Sequence, residues 1–338
     1  MLEEIYITKQ HLSSPSKFKS IDELRNLVID LKNRFNIGFS EEDLIFLVLS
    51  ACRCNEFGIV VEAKKNKFLM DVKALKNWIT EKLIPGTVLL SLDDPDILRL
   101  LIFSIEITYS MFSGESRATV TQKGFRERKR SFEGIVVDQF VGKLGEVAVK
   151  KFLERHFEVE IELDWEISSD ITSHRNDIKN SKKLISVKTS PNLAGIWAEA
   201  DEGYDYGIMV KCAVPEHPLL QFFIETCGFK TLLNFVESIS KDELIREYLN
   251  NIRTRVFGFS NCGQVRTQIT CFVCGYFQIS EDNLKNRGEK LEYLGEVREQ
   301  RHFVKVCDLK YTLEDWKKFL EDIGFEKVQS KIEPPASR

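Results

Sequence analysis

The stretch between residues 142 and 188 constrains the fold of this chain most strongly, because its pattern changes from helical to strand-like. Residues 142–155, GKLGEVAVKKFLER, repeat apolar side chains at helical spacing. A polar connection follows, and then two short strand-like runs, 177–178 and 184–190, with a polar turn at 179–183 between them. This order predicts a helix followed by a β-hairpin.

Acidic and basic side chains gather at one end of this predicted hairpin. Asp177 begins the first strand and Lys188 lies at the exit of the second, so the two side chains can meet there. Glu146 lies on the preceding helix, next to its apolar face. Two carboxylates and a lysine suit one or two divalent cations and a polarised phosphate. The alternative is a salt bridge at the end of the hairpin, with Glu146 as a surface residue.

These residues resemble the motif of the PD-(D/E)XK nucleases, the superfamily that includes most type II restriction endonucleases. Asn176-Asp177 stands as a degenerate "PD", and Ser186-Val187-Lys188 as a degenerate "(D/E)XK". Glu146 matches the helix-borne carboxylate. The resemblance covers residues 132–223, and the alternating residues 158–165 are similar to the first strand of the nuclease sheet.

The resemblance implies an α/β fold of the restriction-endonuclease type, with a mixed central sheet flanked by helices. It also implies a Mg²⁺-dependent endonuclease that hydrolyses phosphodiester bonds of double-stranded DNA, most like a type II site-specific enzyme. Asp177, the carbonyl of Val187 and Glu146 would hold the metal. Lys188 would hold the attacking water or a phosphate oxygen. A homodimer is expected, because two-fold dimers commonly match palindromic DNA sites.

The sequence departs from the motif at Ser186, because a serine cannot replace a carboxylate by charge. A second acid must therefore come from elsewhere, and the candidates are Glu146 and Glu202. A subgroup of restriction enzymes is similar in having SVK and a glutamate at about the spacing of Glu202. That subgroup places its aspartate much farther upstream than Asp177 lies. We favour Glu146, keep Glu202 as the alternative, and regard Asp170 as a less favoured substitute for Asp177.

Two other functions fit the same residues. One is a repair or recombination nuclease that recognises DNA structure rather than sequence. The other is a non-catalytic DNA-binding protein with a nuclease fold, which the serine at position 186 favours. An unrelated α/β protein is the interpretation that remains if Asp177 and Lys188 lie far apart.

Basic side chains that would contact DNA form two groups outside this motif. The densest basic run precedes the predicted catalytic helix, and two more basic residues precede Asp177. The run contains Lys123, Arg126, Arg128, Lys129 and Arg130, and the pair is His174 and Arg175. Such residues supply sequence-independent affinity that falls with rising salt. A solvated linker or loop is the alternative, and the net charge of −4 provides no global positive field.

Length and composition limit the domain organisation. The chain has 338 residues, of which 43% are hydrophobic and 30% charged, as in globular proteins of one or two domains. We predict a mainly helical N-terminal domain over residues 1–114, for DNA contact or dimerisation. A basic linker at 115–131, a nuclease domain at 132–323 and a flexible tail at 324–338 follow.

Local signals predict several elements of the N-terminal domain. A capping box at Ser20 begins a helix over 21–35, Ser40 begins a second helix, and Asp94-Pro95 begins a third over 96–112. Residues 57–61 and 67–70 form a small predicted hairpin. In the second half of the chain, residues 206–213 and 265–276 are strand-like and residues 312–323 are helical.

The N-terminal residues and the cysteines bear on location and on zinc. No signal peptide or membrane-spanning run is recognisable, so we expect a cytoplasmic protein without membrane association and with its eight cysteines reduced. Cys271 and Cys274 form a C-x-x-C, and Cys262 and Cys307 are the candidates for the two further ligands of a zinc site. The flanking residues are those of a buried strand, which favours free thiols.

Overall fold

The computed structural model describes residues 4–64, 67–91, 94–113, 132–167, 176–213, 237–257, 268–326 and 328–331. These residues form an α/β protein in which helices cover a mixed central sheet. None of the helices in these ranges combines the length and apolar character needed to cross a membrane. Several residues with a predicted functional role lie outside the described residues: Lys123, Arg126, Arg128, Lys129, Arg130, Asp170, His174, Arg175 and Cys262.

The N-terminal part consists of short helices around a small antiparallel sheet. Its strands are β1 (Tyr6–Thr8), β2 (Val60–Lys64) and β3 (Lys67–Met70), in the order β1-β3-β2. Its helices are α1 (Lys9–Ser13), α2 (Pro15–Lys19), α3 (Asp22–Phe35), α4 (Glu41–Arg53), α5 (Val72–Trp78) and α6 (Ile84–Gly86). The predicted hairpin is confirmed as the pairing of β2 with β3, and β1 adds a third strand.

The two predicted serine caps differ in outcome. Ser40 is confirmed as the cap of α4, where its hydroxyl accepts the backbone N–H of Asp43 at 3.1 Å. The prediction for Ser20 is wrong, because Ile21 occupies the cap position of α3. The hydroxyl of Ser20 instead donates to the carbonyl of Lys17 at 2.8 Å, at the end of α2. The preceding helix thus takes up the side chain that the capping box would need.

The central sheet is mixed, and the described residues contribute four strands to it. They are β4 (Thr87–Ser91), β5 (Ile185–Ser190), β7 (Tyr206–Ala213) and β8 (Gln268–Gln278), in the order β4-β8-β7-β5. β5 runs parallel to β7, and the other neighbours are antiparallel. β6 (Trp197–Ala200), β9 (Leu284–Lys285) and β12 (Arg301–Lys305) form a separate sheet in the order β6-β12-β9, and β10 (Lys290–Leu291) pairs with β11 (Gly295–Glu296).

Hydrophobic cores lie on both faces of the central sheet. The remaining helices are α7 (Pro95–Ser113), α8 (Phe132–His156), α9 (Glu243–Phe257) and α10 (Leu313–Asp322). Alternate residues of β7 face opposite cores, as the pleat of a strand requires. Ile208 and Val210 pack in the core with α8 and α10, whereas Met209 packs in the core with the N-terminal helices.

The segment 1–114 contributes directly to this arrangement. β4, an outer strand of the central sheet, comes from this segment, and α7 packs along α8. The division predicted at residue 114 therefore does not coincide with a division of the sheet. Described residues within the predicted tail, 324–338, also make contacts with the rest of the structure. Val328 is buried, and Lys331 donates its backbone N–H to the carbonyl of His156 at 2.8 Å.

The structure corrects two predicted strands next to β5. Residues 158–165 form no ladder, although Ile161 and Leu163 are buried on one side as their alternation predicts. Residues 177–178 form no strand either, and the backbone pairing of the predicted hairpin is reduced to one hydrogen bond, from the N–H of Asp177 to the carbonyl of Ile185 at 3.2 Å. The N–H groups of Ile185 and Val187 instead donate to the side chains of Asn176 and Asp177.

Candidate active site

Lys188 lies near the end of β5, the outer strand opposite β4. Ile185 and Val187 pack in the core beneath α8. Because successive side chains of a strand point to opposite faces, Ser186 and Lys188 point to the other face. Ser186 is almost fully buried, whereas Lys188 is partly exposed. The motif serine is therefore a packed side chain, and the lysine reaches solvent.

Asp177 is bound to the free edge of β5. Its Oδ2 accepts the backbone N–H of Val187 at 2.6 Å. That amide points away from β7, toward the side on which no strand of the described ranges pairs with β5, and the carboxylate satisfies it. Burial raises the pKa of Asp177, although the hydrogen bond from Val187 and the charges of Lys143 and Lys188 act in the opposite direction. The structure thus brings Asp177 next to Lys188.

Glu146 projects from α8 into the same region. Its side chain is buried, and its Oε2 lies 2.6 Å from Nζ of Lys143 without meeting hydrogen-bond geometry. Burial, followed by repulsion from Asp177, raises the pKa of Glu146 well above its ordinary range. Two neighbouring carboxylates with raised pKa values are a place where a cation would relieve an unfavourable charge arrangement.

A close approach of α8 to β5 brings Glu146 to the strand. Gly145 faces Thr189, and a Cβ at position 145 would lie 1.9 Å from the hydroxyl oxygen of Thr189. That hydroxyl donates to the carbonyl of Gly142 at 2.9 Å. Glycine at 145 is therefore required for the distance between helix and strand, and residue 146 follows directly.

Asp201 completes the group from a different sheet. It follows β6, and its Oδ2 lies 2.5 Å from Nζ of Lys188. Arg301 of β12 approaches the other carboxylate oxygen, with Nε 3.3 Å away. Partial burial acts to raise the pKa of Asp201, but Lys188 and then Arg301 outweigh it and the pKa is lowered. Asp201 is therefore a charged carboxylate at neutral pH.

The acid that reaches Lys188 is thus Asp201 and not its neighbour Glu202. Glu202 is exposed in the turn that follows β6. The sequence singled out Glu202 by its spacing from Lys188, and spacing alone cannot distinguish adjacent residues such as Asp201 and Glu202. The sequence feature that distinguishes Asp201 is its position directly after the alternating residues of β6. The strand fixes the backbone of the residue that follows it, and so orients that side chain.

Cys271 and Cys274 do not lie together as a shared zinc site would require. Cys271 and Cys274 pack in the two opposite cores, as residues three apart on a strand should. Cys271 instead lies beside Cys212, with the two Sγ atoms 3.0 Å apart. Both are free thiols in the interior, as the strand-like flanks predict. Within the described ranges, no group of three or more acidic, histidine or cysteine side chains is spaced to hold a metal ion.

Comparison with known proteins adds no relative to this description. No family model matches the chain. A search of curated proteins and a search of solved structures likewise return no match. The chemistry of the site must therefore be argued from its own residues.

Proposed function

We propose that this protein is a Mg²⁺-dependent endonuclease that hydrolyses phosphodiester bonds of double-stranded DNA, and that it cuts at specific sequences as type II restriction enzymes do. The observation that carries the proposal is the convergence of Asp177, Lys188 and Asp201 at the exposed end of β5. A lysine between carboxylates, beside a further buried glutamate, supplies groups for phosphate and for a divalent cation.

The proposed ligands are carboxylate and carbonyl oxygens, which are the ligand type that Mg²⁺ prefers. Mg²⁺ is usually held by one or two protein carboxylates and retains several waters, so it does not need a ready-made cage. Asp177 and Glu146 repel each other, and Oε2 of Glu146 accepts no well-directed hydrogen bond from the described residues. These two carboxylates, with the carbonyl of Val187 that the motif implies, would hold the ion. Bound there, Mg²⁺ would supply Lewis-acid stabilisation of the phosphate charge.

The protein groups have distinct roles in this proposal. Lys188 binds a phosphate oxygen or orients the attacking water through its ammonium group. Asp201 orients that ammonium group and favours its charged form. Arg301 holds Asp201 from the side away from Lys188, so that the carboxylate stays in place when Lys188 engages the substrate. Asp201 thus supplies the negative charge that Ser186 lacks.

The proposed partner is double-stranded DNA, bound by a homodimer at a two-fold site. A structure-specific nuclease has the same catalytic groups and differs only in how DNA is selected. A non-catalytic DNA-binding protein is favoured by a separate observation, namely that Lys188 is already engaged in an ion pair and that serine occupies the motif position of the acid.

The test is incubation of the purified protein with plasmid and phage DNA in Mg²⁺ or EDTA. Lys188→Met is compared with the control Lys305→Met. Lys305 lies in β12 and is also ion-paired, with Glu292. Discrete Mg²⁺-dependent fragments that disappear only with Lys188→Met would support the proposal. Cutting confined to branched or single-stranded substrates would favour the structure-specific enzyme. DNA binding without cleavage, in Mn²⁺ as well as Mg²⁺, would refute the catalytic proposal.

A further inference from the structure

The connector between β5 and β6 is held by side chains through its backbone. Three successive carbonyl groups of this connector, those of Leu193, Ala194 and Gly195, accept side-chain hydrogen bonds. The respective donors are Nζ of Lys211 at 2.9 Å, Nη1 of Arg53 at 2.8 Å and the hydroxyl of Ser50 at 2.8 Å. We call these three donors the carbonyl clamp.

The clamp is largely buried and joins distant parts of the chain. Ser50 and Arg53 belong to α4, whereas Lys211 belongs to β7 of the central sheet. Lys211 and Ser50 are 1% and 2% exposed, and Nζ of Lys211 also donates to the hydroxyl of Ser50 at 2.6 Å. Burial of a lysine is costly unless its donors are satisfied. Here Nζ of Lys211 donates to the connector carbonyl of Leu193 and to Ser50, which itself donates to the connector. These bonds indicate that the buried lysine serves to hold the connector in place.

Arg53 extends the clamp further into the N-terminal part. Its Nε donates to the carbonyl of Leu12 at 2.7 Å, at the same time as Nη1 donates to Ala194. One guanidinium therefore ties α1 to the connector. The planar fork of arginine suits this double contact, which a lysine cannot reproduce.

The connector determines where Asp201 lies relative to Lys188. The connector begins after β5, which carries Lys188, and continues into β6, which ends directly before Asp201. The carbonyl of Ile196, the last connector residue, accepts the backbone N–H of Val306 at 2.8 Å. β6 then pairs with β12, which carries Arg301. A shift of the connector would therefore move Asp201 with β6.

We propose that Ser50, Arg53 and Lys211 are positioning residues, which fix the Lys188–Asp201 pair by clamping the backbone that joins its two members. This inference rests on the proposed nuclease function. It gives the N-terminal part a place in the catalytic unit, in addition to any DNA contact or dimerisation. A misplacement of about 1 Å at a catalytic group can cost about 100-fold in rate, so a clamp remote from the substrate can still govern turnover.

The test compares Ser50→Ala and Arg53→Met with Ser104→Ala in the full-length protein. Ser104 is a matched control, because it is a fully buried helical serine whose hydroxyl donates to a carbonyl, that of Leu100, at 2.7 Å. Backbone hydrogen–deuterium exchange is measured for β6 and for the β7–β8 ladder, and kcat and KM are measured for DNA cleavage.

We expect exchange in β6 to rise by about 10-fold or more in the clamp variants, with the β7–β8 ladder as protected as in Ser104→Ala. We expect kcat to fall by about 10- to 100-fold while KM for DNA stays unchanged. Exchange in β6 equal to that of Ser104→Ala would overturn the inference, as would faster exchange with an unchanged kcat. A wild-type protein that leaves DNA intact would refute the proposed function and the catalytic role of the clamp. The exchange comparison would then still decide separately whether the clamp holds β6.

Discussion

Nζ of Lys188 lies 2.5 Å from Oδ2 of Asp201, although the two residues belong to segments of different sheets. Lys188 is the first partly exposed residue of β5 in the central sheet, and Asp201 follows β6 in the smaller sheet. The contact therefore depends on how the two sheets are joined. It places a carboxylate beside the motif lysine, where the serine at 186 provides no charge.

Replacement of Asp201 tests this contact directly. We expect Asp201→Asn to lower Mg²⁺-dependent DNA cleavage by about 100-fold or more, because Lys188 loses the charge that orients it. Glu202→Gln, which removes the same charge one residue later at an exposed position, should leave the rate within about 3-fold of wild type. The measurement is the initial rate of plasmid cleavage under saturating Mg²⁺.

The opposite pattern would contradict the assignment. Loss of cleavage with Glu202→Gln and retention with Asp201→Asn would make Glu202 the second acid, which is the alternative that the sequence leaves open.

The partly buried carboxylate of Asp177 should make stability depend on pH. Burial raises its pKa in the folded state, so the folded protein binds this proton more tightly than the unfolded chain, whose aspartates titrate near a pKa of about 4. Stability is therefore lost as the pH rises through the raised pKa. We expect Asp177→Asn to be more stable than wild type by about 1 kcal/mol at pH 7 to 8, because asparagine keeps an acceptor for the N–H of Val187.

The measurement is urea unfolding of both proteins across a pH series without Mg²⁺. The advantage of Asp177→Asn should shrink as the pH falls through the raised pKa, and should approach zero below about pH 3, where the aspartate is protonated in both states. A difference that is constant with pH would show that the change acts through packing rather than charge.

Two glycines of α8 should respond in opposite ways to alanine. At Gly145 the new Cβ would collide with Thr189, so we expect Gly145→Ala to destabilise the protein by about 1–3 kcal/mol and to lower cleavage by moving Glu146. At Gly142 a Cβ meets no atom within 4 Å, so Gly142→Ala should stabilise the helix by about 0.5–1 kcal/mol. Urea unfolding gives both values. Equal effects at the two positions would contradict the close approach of α8 to β5.

A buried ion pair in the N-terminal part should show strong coupling. Nζ of Lys82 lies 2.6 Å from Glu56, and the indole N–H of Trp78 donates to the same carboxylate oxygen at 3.1 Å. We expect Lys82→Met alone to cost about 3–5 kcal/mol, because it leaves a buried carboxylate without its cation. The double variant Lys82→Met/Glu56→Gln should recover part of that loss, since glutamine still accepts the indole N–H. A double variant less stable than the single one would contradict this account.

Helices, strands and caps that are determined by residues close together in the sequence were predictable from it. The helix over 142–155 lies within α8, and the strands at 206–213 and 265–276 correspond to β7 and β8. Ser40 caps its helix through a bond that spans three residues. Ser20 shows the limit of such predictions. Its hydroxyl donates to a carbonyl of the preceding helix, α2, and therefore does not cap α3. The contact between Asp177 and β5, the strand that carries Lys188, was also predictable, because a short turn separates the two segments.

What the sequence alone determined is the set of local patterns: the apolar stripe of α8, the alternation of the buried strands, and the order in which Glu146, Asp177 and Lys188 occur. Long-range packing determines that β4 joins the central sheet, that Asp201 rather than Glu202 contacts Lys188, and that α4 binds the connector between β5 and β6. The physical reason is range. Periodicity and capping act within a few residues, whereas side chains distant in sequence meet only when packed sheets and helices bring their backbones together.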